Sequence, residues 1–171
     1  NSNIIKTKCF YEFSIFAGKE NAQKLVKYHI EKGGVSRYEK IKYFYKNILC
    51  KSISDDLFKS EINRYSTIIK KKIITCEVAK NINELRKFNL NSNWVVVSGS
   101  DETELKYIFK EKKLHHMFDD NIFGSPLNKK QIISNGIKKN IIKKNSIFIG
   151  DSKYDYLTAK YFDFDFVYIS E

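Results

Sequence analysis

A single proline, Pro126, and only seven glycines stand in 171 residues. That scarcity leaves no linker-like stretch and excludes a collagen-like chain. The three cysteines, Cys9, Cys50 and Cys76, are odd in number and far apart. They fit neither a disulfide framework nor a zinc knuckle, so a reducing, cytoplasmic setting is expected. No apolar run approaches the ~18 residues of a membrane-crossing helix, and NSNIIKTKCF lacks the apolar stretch of a signal peptide. Neither a membrane partner nor a secretory leader is expected. Arginine is scarce too: Arg37, Arg64 and Arg86 stand against 28 lysines. The net charge of +11 therefore comes from lysine, and A/T-rich coding would produce the same bias toward Lys, Ile and Asn. Evenly scattered lysines point to a solvated surface, and a basic nucleic-acid-binding module is the rival reading. Methionine occurs once, at Met117, and the sequence opens on Asn1. Together these read as a fragment.

What is present is apolar. A hydrophobic content of 42% with 15% aromatics excludes a disordered chain and allows one modest core or two small ones. Residues 1–75 read as helical. In FYEFSIFAGKENAQKLVKYHIEKGG, the residues Ala22, Leu25, Val26 and Ile30 recur at helical spacing before Gly33-Gly34. Ser36 stands three residues before Glu39 at capping-box spacing, and Ile41, Phe44, Ile48 and Leu49 share one face of the helix that follows. Ser54, with Asp55 and Asp56 in the first turn, opens a third helix.

Residues 76–171 follow another pattern. WVVVS, NIF, SIFIG and FVYI are short runs rich in β-branched and aromatic residues, without alternation, as in strands buried on both faces of a parallel sheet. Helical stretches separate them: DETELKYIFKEKKL, KKQIISNGIKKNII and YDYLTAKYF. The expected fold class is α/β, a Rossmann-like parallel sheet with flanking helices, preceded by an α-helical unit. Ligands of such sheets bind beyond the carboxyl ends of the strands. That directs attention to Ser98-Gly99-Ser100, Gly124-Ser125-Pro126 and Gly150-Asp151-Ser152.

Asp151 leaves the strand SIFI after Gly150, whose small size permits a sharp turn, and Asp155 lies one helical turn on. Two carboxylates at a ligand edge suit Mg²⁺. The alternative is that Asp151 is only a helix N-cap and Asp155 a solvent residue. Ser98 and Gly99, at the end of WVVV, offer a hydroxyl and backbone N–H groups as an anion cradle, although Ser100 could be a mere N-cap. Lys129, or its neighbour Lys130, could reach a bound phosphate from the third tip.

In order along the chain, these pieces resemble the haloacid-dehalogenase-like superfamily, specifically its phosphoglycolate-phosphatase-like branch with a helical cap. VVVSGS is similar to the second motif of that family, FGSPLNK to the third and IFIGDSKYD to the fourth. The resemblance implies that Ser98 and Gly99 bind phosphate and that Lys129 (or Lys130) stabilises the phosphoryl group. It also implies that Asp151 ligates Mg²⁺ while Asp155 supports the metal site. The expected activity is Mg²⁺-dependent hydrolysis of a small phosphorylated metabolite through an aspartyl-phosphate, with residues 1–75 as the cap that selects the leaving group. A phosphomutase would share these motifs. A non-catalytic α/β domain whose acids are only caps is a further alternative.

One departure matters. The family carries its nucleophilic and acid/base aspartates in a DxDx(T/V) motif on a first strand, and nothing of that form precedes the helical part. The 171-residue chain is therefore expected to be catalytically silent. Asp163-Phe164-Asp165-Phe166 matches DxDx superficially, but its apolar strand follows the acids instead of preceding them, so they read as loop and strand-start residues. His115 and His116 have no ligand partner at metal-binding spacing and read as a turn. YEKIKYFYKN reads as a core face alternating with solvated lysines, not as a base-stacking platform.

Overall fold

The structure, a computed structural model, describes residues 2–169. The chain divides into two compact units, Asn1–Thr75 and Cys76–Glu171.

The first unit is built from α1 (Ser2–Ser14), α2 (Lys19–Glu31), α3 (Arg37–Tyr43) and α4 (Asp55–Ile73). The periodic run expected as one helical stretch is cut at Gly18, whose φ of 93° and ψ of 154° lie where side-chain-bearing residues are strained. A short 3₁₀ turn, Ile15–Ala17, leads into that break. Ser36 and Ser54 do cap: their hydroxyls accept from the Glu39 and Leu57 N–H groups at 3.4 and 3.3 Å. A wider π turn, Phe44–Ile48, extends α3. Phe13, Leu25, Ile41, Phe44, Tyr65 and Ile69 are buried and form the core. Ile30, expected on the core face of α2, is exposed; Ala22, Leu25 and His29 are the buried positions instead. The inward face thus carries a histidine, whose Nδ1 accepts a hydrogen bond from the buried Lys40 amine at 2.9 Å. Lys40 is correspondingly an exception to the solvated lysines expected in YEKIKYFYKN, whereas Lys42 and Lys46 are exposed.

In the second unit a short helix absent from the sequence reading, α5 (Ile82–Phe88), has no buried residue. Strand and helix then alternate: β1 (Val96–Asp101), α6 (Glu102–Glu111), β2 (Ile122–Ser125), α7 (Lys129–Lys138), β3 (Ile147–Gly150), α8 (Lys153–Tyr161) and β4 (Asp165–Tyr168). Among the described residues all pairing is parallel, as β1 with β2 and β3 with β4. This is the Rossmann-like α/β class that the buried-strand pattern anticipates. The sheet comes, however, as two pairs. Val96 and Val97 face Ile122 and Phe123, and the register then shifts before Asp101 meets Ser125. In the other pair Ile147 to Gly150 face Asp165 to Tyr168 without a break.

Both pairs rest on one apolar cluster of Ile133, Ile142, Ala159 and Phe164, against which Val95, Val97, Phe148 and Phe166 pack. Burying Ile133, Ile142 and Phe164 contributes about 1.5–3 kcal/mol each. Burial on both faces does not hold throughout, because Ile147 and Ile149 are 62% and 55% exposed. The first strand also runs further than WVVVS suggests. Ser98, Gly99 and Ser100 stay extended, so Asp101 and not Ser100 caps α6, its carboxylate accepting from the Glu104 N–H at 3.0 Å.

Candidate active site

The loops at the ends of β1, β2 and β3 are tied together by side chains. Between the first two, the buried Ser125 hydroxyl donates to the Gly99 carbonyl at 2.7 Å. The Gly124 N–H donates to the Glu102 carboxylate at 3.1 Å. Contact there is so close that a Cβ at Gly124 would stand 2.4 Å from the Ser100 carbonyl oxygen. Ser98 is part-buried, and its hydroxyl accepts from the Ser100 N–H at 3.1 Å, which folds the tip back on itself. The Ser125–Pro126 peptide bond is cis, and the chain then enters α7 through a capping box between Asn128 and Gln131.

Lys129, the first residue of α7, crosses to the third loop. It is 7% exposed and Asp155 is 3% exposed, and the two form a salt bridge. Asp155 is the third residue of α8. Its other carboxylate oxygen accepts from the Ser152 N–H and hydroxyl, at 3.2 and 2.6 Å, while its own N–H donates to the Ser152 hydroxyl at 3.1 Å. One carboxylate thereby closes a capping box and holds a buried cation. Lys130 goes elsewhere, with its amine 3.8 Å from the centroid of the Tyr161 ring.

Gly150 has a reason for being glycine other than the sharp turn expected of it. A Cβ there would lie 2.5 Å from the Asp155 Cβ and 2.7 Å from its carboxyl carbon, so its bareness lets Asp155 tuck under the strand tip. Asp151 is exposed, and the N-cap of α8 is Ser152. The two acids differ in burial: Asp151 is exposed, and Asp155 is buried with both oxygens engaged by Lys129 and Ser152. Mg²⁺ is usually held by one or two carboxylates together with phosphate oxygens and water. The exposed Asp151 fits that chemistry, and the enclosed Asp155 fits support from behind. Among the described residues no group of three His, Cys, Asp or Glu side chains gathers around a common point.

The Ser125–Gly99 hydrogen bond thus joins the first loop to the second, and the Lys129–Asp155 salt bridge joins the start of α7 to the third loop. Ser125 and Ser152 stand at the strand tips singled out from the sequence, but their bonding roles emerge only in the structure. Ser152 carried a signal in its three-residue spacing to Asp155, which has capping-box form. Ser125 carried none, because its bond to Gly99 depends on strand pairing. The remaining candidates do not join the site. Asp163 sits in a left-handed turn at φ 56°, and Asp165 is the first residue of β4. His115 and His116 lie in the 3₁₀ turn His115–Phe118, where the buried Nδ1 of His115 has no hydrogen-bond partner.

Comparison with known proteins follows the same outline. The sequence profile of the haloacid dehalogenase-like hydrolases matches residues 13–169. A crystal structure of a candidate phosphatase from Clostridium difficile, at 1.7 Å resolution, is similar with a TM-score of 0.62 and 20% identity. The similarity covers 98% of this chain and 78% of that one, and at this identity it bears on the fold alone. No curated protein matches the chain.

Proposed function

Because the chain belongs to the haloacid dehalogenase-like hydrolases, we propose that its α/β unit carries the phosphate- and magnesium-binding part of a phosphate-monoester hydrolase site. The observation that carries this reading is the buried salt bridge from Lys129 to Asp155, which fixes a cation at the start of α7, just after the β2 loop whose Ser125 is bonded to Gly99. A phosphoryl group there would meet the Ser98 hydroxyl, backbone N–H groups and the Lys129 amine. Such donors, held in advance by a rigid surround, stabilise charge on phosphoryl oxygens without reorganising. Asp155 acts through Lys129 by setting where the amine points, and Ser152 keeps Asp155 in place. Asp151 would hold Mg²⁺, which when bound offsets phosphoryl charge. The substrate class is a small phosphorylated metabolite, and the helical residues 1–75 take the part of the cap by their place in the chain and their all-helical make-up.

The 171 residues contain no DxDx(T/V) motif ahead of the helical part, so this polypeptide by itself is assigned binding without turnover. Thermal unfolding with inorganic phosphate and Mg²⁺ tests the reading. Phosphate should raise the transition of the α/β unit more with Mg²⁺ than without, and Asp151→Asn should abolish the difference. At ligand 100-fold above Kd the gain is about 2.7 kcal/mol. Absence of any joint effect in the unaltered chain would sink the binding assignment. Sustained release of phosphate from a monoester would overturn the assigned silence.

A further inference from the structure

The helical unit carries a groove of about 600 Å³, lined by Lys42, Lys46 and Lys51 together with Ile53, Asp55 and Phe58. Its walls follow from the local backbone. At the π turn that extends α3, the Leu49 N–H donates to the Phe44 carbonyl at 2.9 Å. The Lys51 N–H then donates to the Tyr45 carbonyl, also at 2.9 Å, and Cys50 between them takes a left-handed φ of 52°. The chain thus doubles back on the end of α3 before α4 begins. That return brings Lys51 to the groove that Lys42 and Lys46 line from the helix. π turns of this kind are frequent at functional positions.

Charge around the groove is one-sided. Lys24 and Lys106 stand on helices and pair with Glu20 and Glu102. Among the described residues Lys42, Lys46 and Lys51 form no salt bridge. The Lys42 amine instead lies 5.2 Å from the centroid of the Phe58 ring. Asp55, the acid in the lining, is in the first turn of α4, where the helix dipole already answers its charge. We infer that this groove binds a small organic phosphate monoester, its phosphoryl group among the three ammonium groups and its apolar body against Ile53 and Phe58. The volume falls within the range of about 300–1,000 Å³ usual for small-molecule sites. Lysine is a compact point charge suited to phosphate, whereas planar carboxylates are matched by the arginine fork, and no arginine is in this lining. A phosphoryl group brings about −1.5 to −2 charges at neutral pH, enough to offset most of the excess. The inference concerns the helical unit alone and holds whether or not the α/β unit binds phosphate.

Cys50 lies in the lining and is exposed, whereas Cys9 is buried and Cys76 only partly accessible, so the Cys50 thiol reports occupancy. Alkylation of the full chain by iodoacetamide, followed at each cysteine by peptide mass spectrometry, tests the inference with phenyl phosphate as the probe. Reaction at Cys50 should slow along a saturation curve, by about tenfold once the probe stands about tenfold above its Kd, while Cys76 keeps its rate. Phenol, and sodium chloride at matched ionic strength, should protect little. Exchanging all three exposed lysines, as Lys42→Gln, Lys46→Gln and Lys51→Gln, should abolish the protection with the helical circular dichroism retained, and Lys51→Gln alone should weaken it. Asp151→Asn alters the other unit and should leave the protection intact. No slowing at millimolar probe would overturn the inference, as would slowing that phenol or chloride reproduces or that survives loss of the lysines. Protection lost in Asp151→Asn would place the probe in the α/β unit and overturn it as well. Stronger protection by a single-stranded RNA oligonucleotide than by phenyl phosphate would assign the lysines to nucleic acid instead.

Discussion

At the scale of single residues, burial sorts the many lysines that sequence cannot. Lys40 and Lys129 are both buried, yet their partners differ in kind: a neutral imidazole for Lys40, a carboxylate for Lys129. The first arrangement has a consequence for pH. His29 must keep the Nδ1 lone pair free to accept from Lys40, and its pKa is lowered to about 3, first by burial and then by the charges of Lys40 and Lys6. In the unfolded chain the same group titrates near 6.5. The folded pKa lies below the unfolded one, so between these values the unfolded state binds the proton and the folded state refuses it. Stability from neutral His29 is complete above pH 6.5 and declines as pH falls toward 3, by up to about 1.4 kcal/mol per pH unit. Glutamine can accept from Lys40 but does not titrate. Urea unfolding between pH 6.5 and 4.5 should therefore show a steeper loss for the unaltered protein than for His29→Gln. Parallel curves would refute the role of His29.

At the scale of elements, two glycines answer different demands. Gly18 lies at φ 93° with nothing within 4 Å of where a Cβ would stand, so alanine there meets only backbone strain, of order 1–3 kcal/mol. Gly150 has no such backbone demand, but its missing Cβ is the space that Asp155 occupies. Gly150→Ala should cost about 1–3 kcal/mol by overpacking and should also weaken phosphate binding by displacing Lys129 through Asp155. Gly18→Ala should leave phosphate binding as it was. If Gly150→Ala matched the unaltered chain in both urea midpoint and phosphate affinity, the tight approach of Asp155 would be wrong. Elements of this kind mark how far the sequence is legible. Ser36 and Ser54 announce their helices because capping is local, and the strand runs are visible because β-branched residues cluster. The helix break at Gly18, the inward turn of His29 and the cap at Asp101 depend on what each face meets in space. The same holds at the site: the order of Ser98, Lys129, Asp151 and Asp155 along the chain pointed to converging loops, whereas the enclosure of Asp155 by Lys129 and Ser152 required the fold.

At the scale of the whole molecule, each unit has its own core, around Phe13, Phe44 and Tyr65 in one and around Ile133 and Ala159 in the other. Units with separate cores are expected to unfold as separate cooperative steps. The chain supplies a probe for one of them. Its one tryptophan, Trp94, lies in the α/β unit with its ring 5.8 Å from that of Phe118, while helix signal by circular dichroism reports both units. Asp155→Asn leaves the Lys129 amine buried without its counter-charge, and removing one partner of a buried pair costs about 3–5 kcal/mol. That loss should move the Trp94 fluorescence midpoint in urea and leave the helical unit's step where it was. His29→Gln should do the reverse below pH 6.5, altering the circular-dichroism step that Trp94 does not see. If both variants displaced a single shared transition, the two cores would be one cooperative body, and the energetics assigned to Lys129 and His29 could not be read unit by unit.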